Sequence, residues 1–306
     1  MPIPKAKVDV RLQPQCVLHF GGSAAERTSI AEDLLAYASR QLKGTLGLAC
    51  RRAGGEAGWR TLEGDLRLPG SVPSDAATST SSTPACRRFE WASDPGARGS
   101  LLRFVDLEPL GGRERSSTIT IRFESGGYTE AMTGLVRWVI GHLPLTWGVA
   151  GWFHISDGDR LDLAWDRIAA LSKRHWAALP GDAPSMPFDA MEGIPSVGWL
   201  TLVGSEWVRR ANLRLGEAAG LAAQGVFLRV DRHGIALAAG SAPETGDIHG
   251  GSSLAAYRRV DELLTPLMLQ RARPWPGAFR DEDVRQAWMG RFREPEAWLR
   301  ADVVAP

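Results

Sequence analysis

Apolar and polar positions alternate from Val8 to Phe20, which is the period of a β-strand with two unlike faces. Gly21-Gly22-Ser23 stops the alternation. Ser23 is a ready N-cap for a helix over 24–43 whose Ile30, Leu34, Leu35, Ala38 and Leu42 share one face, with Gly44 ending it. Short strands follow near 46–51 and 59–62. Residues 101–110 and 116–124 form two further strands, turned by Gly111-Gly112. In the second of these, Thr118, Thr120 and Arg122 make a wet face and Ile119, Ile121 and Phe123 a buried one. Gly126-Gly127 opens a helix over 129–142. The run from Trp147 to Ile155 is too apolar to have an exposed face and predicts a central strand.

The second half repeats this mixture. Asp157-Gly-Asp159 caps a helix over 160–178 with Leu161, Ala164, Trp165, Ile168, Leu171 and Trp176 on its stripe. A strand over 197–203 leads into a helix carrying Trp207 and Val208. Val226–Val230 and Ile235–Ala239 pair as a hairpin around 231–234. Helices over 253–265, 281–293 and 295–301 finish the chain. Strands in pairs among helices predict an α+β fold with a largely antiparallel sheet. Three regions are expected: an α+β part over 1–100, a core over 101–270, and a helical extension over 271–306. Residues 69–86 are rich in Ser, Thr, Pro and Ala and predict a long mobile loop in the first of them.

Composition narrows the function more by exclusion than by signal. The formal net charge of +1 over 306 residues argues against a general electrostatic grip on nucleic acid. Three scattered cysteines, Cys16, Cys50 and Cys86, fit a reducing compartment, and no apolar segment follows the N-terminal lysines, so the expected location is cytoplasmic. The most apolar stretch, 135–153, holds Arg137, His142 and Pro144 and does not predict a membrane span. No Gly-x-Ser-x-Gly, Walker A or GxGxxG string occurs. The six histidines are singletons without helical ligand spacing, so no metal or other cofactor is expected. Ile3, Lys5, Gln41 and Leu171 stand two residues before the four lysines, which rules out the acid-x-Lys signature of many nucleases.

One resemblance stands out. The strand Gly148-Val-Ala-Gly-Trp-Phe153, the string Gly198-Trp-Leu-Thr-Leu-Val-Gly204 and the turn Gly246-Asp-Ile-His-Gly-Gly251 occur in order, followed by Leu254-Ala-Ala-Tyr-Arg-Arg-Val260. Over about residues 100–270 this resembles the type VI secretion immunity proteins that accompany nuclease effectors, including VRR-NUC effectors. Gly198 stands where that family has Asn, and Ile248-His249 where it has Val-Asn. The resemblance implies a non-enzymatic antitoxin that binds a cognate DNase-type effector and occludes its active site or DNA-binding face. Its partner is then a protein, with no direct contact to nucleic acid or membrane.

Because a nuclease presents a basic cleft, the inhibitor is expected to offer acidic groups. The candidates are Asp157, Asp159 and Asp162, the pair Glu244 and Asp247, and the run Asp281, Glu282 and Asp283. Trp288, in a polar terminal region, is the candidate aromatic anchor. The alternative is a small-molecule enzyme with a dispersed site drawn from His154, Asp157 and His249.

Overall fold

The computed structural model describes residues 9–41, 49–52, 60–61, 86–92, 99–107, 117–124, 126–156, 161–181, 191–213 and 218–303. Among the described residues, eleven strands join in one sheet: β1 (Val10–Phe20), β2 (Ala49–Arg52), β3 (Arg60–Thr61), β4 (Cys86–Ala92), β5 (Leu101–Leu107), β6 (Ser117–Arg122), β7 (Trp147–Ser156), β8 (Leu179–Pro180), β9 (Leu200–Gly204), β10 (Val226–Asp231) and β11 (Gly234–Ala239). Their order across the sheet is β10-β11-β9-β7-β1-β6-β5-β4-β2-β3, with β8 beside β7. Every pairing among these strands is antiparallel except β7 with β8. The helices are α1 (Ala24–Gln41), α2 (Tyr128–His142), α3 (Leu161–Ser172), α4 (Ser205–Arg210), α5 (Ala218–Ala222), α6 (Ala255–Leu264), α7 (Glu282–Met289) and α8 (Pro295–Arg300). This is the α+β class the patterning predicts.

The first alternating segment becomes the centre of the sheet. β1 pairs β6 on one side and β7 along ten residues on the other. Hydrogen bonding does not break near residue 100: β4 pairs β5 across it, and β1 lies between two strands of the core region. The extension after residue 270 shares the core too, through Trp275, Phe279, Trp288 and Trp298. Ser23 caps α1 as expected, accepting from the Glu26 amide at 3.3 Å, while the Glu26 carboxylate accepts from the Ser23 amide at 2.7 Å. That reciprocal pair is a capping box.

β6 departs from expectation. All six of its residues are buried, with Thr118, Thr120 and Arg122 no more than 6% exposed. The register puts these three on the same face as Gln15 and His19 of β1, both fully buried. The Thr118 hydroxyl lies 3.1 Å from His19 Nδ1, and His19 stacks on Trp147 at 4.2 Å. The face is polar but not wet, because its polar groups are covered. β4, β8 and α5 carry no strong periodic signal and were not expected from the sequence. Gly44, Gly111-Gly112, the 157–159 cap and most of the 69–86 segment lie outside the described residues.

Candidate functional site

The Gly246-Asp247-Ile248-His249 turn docks on the segment after α3. Trp176 and Ala177 amides donate to the carbonyls of Gly246 and Thr245 at 3.1 Å each, and Ile248 donates to Arg174 at 3.0 Å. Gly246 has φ +69°, and a Cβ there would meet the Ala177 nitrogen at 2.5 Å, so both conformation and crowding require glycine. Asp247 accepts from Arg174 Nε at 3.1 Å and Nη2 at 2.7 Å and also caps the His249 amide at 3.0 Å. These hydrogen bonds, Arg174 foremost, hold its carboxyl at about 2, well below the ordinary carboxylate value. Glu244, two residues before the turn, is exposed, and its carboxylate accepts from Ser252 Oγ at 2.6 Å. Asp247 is therefore a charge already answered by its own arginine, and Glu244 a charge at the surface.

The second acidic group opens α7. Asp281 is its N-cap, accepting from the amides of Asp283 and Val284 at 2.8 and 3.1 Å. Glu282 lies 3.5 Å from Arg271, both well exposed, and Asp283 is exposed. Asp162 falls in the first turn of α3, whereas Asp157 and Asp159 lie outside the described residues.

Trp288 requires a correction. It is 1% exposed, packed edge-on against Trp275 at 5.4 Å and Phe279 at 6.1 Å, and cannot serve as a solvent-facing anchor. The polar sequence around it misled because the helix is short and only one side carries the apolar residues Val284, Trp288 and Met289 inward. Arg291 accounts for much of this arrangement. Fully buried, it donates to the Trp176 carbonyl at 2.6 Å, Ser196 Oγ at 2.9 Å and the Trp288 carbonyl at 2.9 Å. Its guanidinium lies over the rings of Trp288 and Phe292, at 4.0 and 4.3 Å from their centroids. Burial lowers its pKa to about 9, against the pull of Asp261 and Tyr257. Lys173 in turn donates to the Trp298 carbonyl and sits 4.2 Å from that ring centre. The sequence reading missed Arg291, although the spacing of Trp288, Arg291 and Phe292 was a signal for it.

The residues of the enzyme alternative are not drawn into one cleft by any described contact. His154 is fully buried beside His175, ring centres 5.6 Å apart, and burial holds its pKa down at about 3. His249 is exposed on the docked turn. Among the described residues no group of three His, Cys, Asp or Glu side chains could hold a metal ion, and no helix is long and apolar enough to cross a membrane. A cavity of about 240 Å³ lies between α1, α2 and β6, walled by Tyr37, Ile121, Phe123 and Leu135 with Glu130 at its side.

Gly198 explains one departure from the family pattern. A Cβ there would meet Val149 Cγ2 at 2.4 Å and the Ala150 carbonyl at 2.9 Å, which leaves no room for asparagine. Thr201 Oγ1 accepts from the Gly198 amide at 3.1 Å, so this string closes locally on itself.

Fold and motif positions together define an α+β scaffold whose signature strings are used for packing. A family model described as type VI immunity for VRR-NUC (TsiV) matches residues 125–292, more than half of the chain, and the chain belongs to that family. A solved structure, the Pseudomonas aeruginosa T6SS protein PA0821, superposes with a TM-score of 0.68 at 18% identity, covering 96% of this chain and 87% of that one. That likeness is one of fold. No curated protein matches the chain.

Proposed function

We propose that this chain is an immunity protein that binds and neutralises a cognate type VI secretion effector, a DNase-type nuclease, inside the cell that carries both. The observation that carries this reading is the family match over residues 125–292. The docked turn and the glycine-crowded strand serve the scaffold, and the reading assigns recognition to surface groups that the scaffold leaves available. Glu244 and Asp283 are the described acidic candidates least committed to internal contacts, with Glu282 beside them, and Asp157, Asp159 and Asp162 form the third group. Asp247 and Asp281 contribute through placement of their turns, because each already serves a cap or an arginine. The mode is occlusion of the effector's active site or DNA-binding face, with charge acting mainly on encounter.

The test is co-expression with the product of the adjacent gene, together with binding measured on the purified pair. Suppressed toxicity and a stable complex are expected. Charge reversal at Glu244 and Asp283 should slow association and weaken its salt dependence. Failure of every neighbouring toxin to bind overturns the reading, and unchanged kinetics in the reversal variants moves the interface elsewhere.

A further inference from the structure

α2 carries a glycine at its middle that its backbone does not need. Gly134 lies inside a 15-residue helix, and a Cβ there would meet only the Tyr37 hydroxyl, at an ordinary contact distance of 3.5 Å. Glycine weakens a helix interior relative to alanine, and neither a turn nor a close approach calls for it here. What the missing side chain leaves is part of the cavity of about 240 Å³ between α1, α2 and β6, which Ala38 and Ala131 also line. Close packing would ordinarily fill such a space. Its floor is apolar and covered, with Ile121, Phe123 and Leu135 no more than 5% exposed. Its rim is polar, with the half-buried Tyr37 on α1 and the exposed Glu130 on α2. Tyr37 is fixed there by stacking on Trp138, ring centres 4.5 Å apart, and burial holds its pKa above the ordinary phenol value. Among the described residues, neither the Tyr37 hydroxyl nor the Glu130 carboxylate has a hydrogen-bond or ion-pair partner.

We propose that this cavity is a binding site for a small arylalkyl ammonium, with one aromatic ring on the apolar floor and the cationic amine between Glu130 and the Tyr37 hydroxyl. Volume sets the size. An apolar cavity of about 150 Å³ takes a benzene ring. The present one, at about 240 Å³, takes a ring with a short chain. Charge sets the class. Glu130, Gly134 and Trp138 follow at intervals of four residues and so share one side of α2. The carboxylate therefore stands one turn from the gap that Gly134 leaves. There it repels carboxylates and phosphates, and it meets a cation with a charge-assisted hydrogen bond. The Tyr37 hydroxyl, an acceptor as well as a donor, can take a second N–H of the same amine. A neutral aromatic compound gains only the floor and leaves both polar groups to water. The site needs no effector, so it stands or falls apart from the immunity reading.

The test is ligand binding to the full chain by NMR, with 2-phenylethylammonium as the probe and 2-phenylethanol and 3-phenylpropionate as its neutral and anionic counterparts. The ammonium should saturate with a dissociation constant on the order of 1 mM, as suits a ligand of roughly nine non-hydrogen atoms. The alcohol should bind about fivefold more weakly, and the carboxylate should not saturate in the same range. Amide shifts should centre on residues 34–38 and 130–138. Glu130→Gln, at an exposed position, should bring the ammonium down to the level of the alcohol. Gly134→Leu should abolish binding by filling the cavity while the thermal midpoint shows a folded chain. Ala131→Leu fills the same space and replaces it if Gly134→Leu does not fold. A parent that shows no saturation with the ammonium up to about 20 mM overturns the proposal. So does binding that survives in a folded filling variant, or shifts centred away from these two helices. A parent that holds the alcohol as tightly as the ammonium refutes the cationic class.

Discussion

Arg27 and Arg291 are both almost completely buried, and they are held in opposite ways. Arg27 projects from α1 to the ends of β5 and β6, where its Nε donates to Asp106 Oδ1 at 2.8 Å and Ser117 Oγ at 2.9 Å, with Ser117 Oγ donating to Asp106 at 2.7 Å. Its charge is matched directly by a carboxylate that is itself buried. Among the described residues Arg291 has no ion pair of this kind. It is held by two carbonyls, a hydroxyl and two aromatic faces, while the nearby carboxylate of Asp261 pairs with Arg293 at 2.9 Å. Burial raises the Asp261 pKa, against the pull of Arg293 and Arg291. The first arginine is a lock between helix and sheet that depends on charge. The second is a packing piece that happens to be charged, and it seats the C-terminal helices on the segment after α3.

The largest expected effect tests the second site. Trp288→Ala removes a ring at the centre of the aromatic cluster and one face of the Arg291 sandwich, and should cost about 5 kcal/mol in urea unfolding. A change within experimental error would return Trp288 to the surface and restore it as a partner anchor. Arg27→Ala comes next at about 4 kcal/mol, because it takes the guanidinium away from the buried Asp106 carboxylate, and Arg27→Met should be nearly as costly. Arg291→Met should cost only about 2 kcal/mol, since a long apolar side chain keeps the ring contacts and no dedicated carboxylate is orphaned. Equal penalties for methionine at the two positions would erase the distinction.

Acid draws the comparison at another pair. Burial holds His19 and His154 at about 3, below the ordinary histidine value near 6.5. Both are neutral when folded and gain a proton more readily when unfolded. Their contribution is therefore complete above pH 6.5 and is lost as pH falls from there toward 3, by up to about 1.4 kcal/mol per pH unit for each histidine. His154→Leu should flatten the fall in urea midpoint between pH 6.5 and 5, and an unchanged slope would place the titration elsewhere. The smallest effect is expected at the start of the helix that carries Arg27. Ser23→Ala should cost about 1 kcal/mol by opening the capping box, as read from the thermal midpoint.

Local signals in the sequence carried far. The alternation at 8–20, the Ser23 cap, the helix before Pro144 and the hairpin around Arg232-His233 each depend on neighbours a few residues away, and each has its counterpart in the structure. The strings behind the family resemblance were legible for the same reason, whereas the commitments of Asp247 to Arg174 and of Asp281 to a helix cap were not. Burial on the second face of a strand is a different kind of fact. Thr118, Thr120 and Arg122 alternate like a wet edge, yet they lie under cover beside Gln15 and His19. Trp288 sits in a polar stretch, yet it is core. Arg27 and Asp106 are 79 residues apart, and nothing near either one announces the other. Periodicity reports which residues share a face of one element. What comes to lie on that face depends on long-range pairing, and that was decided only when β1 took its place between β6 and β7 and the C-terminal helices closed on Arg291.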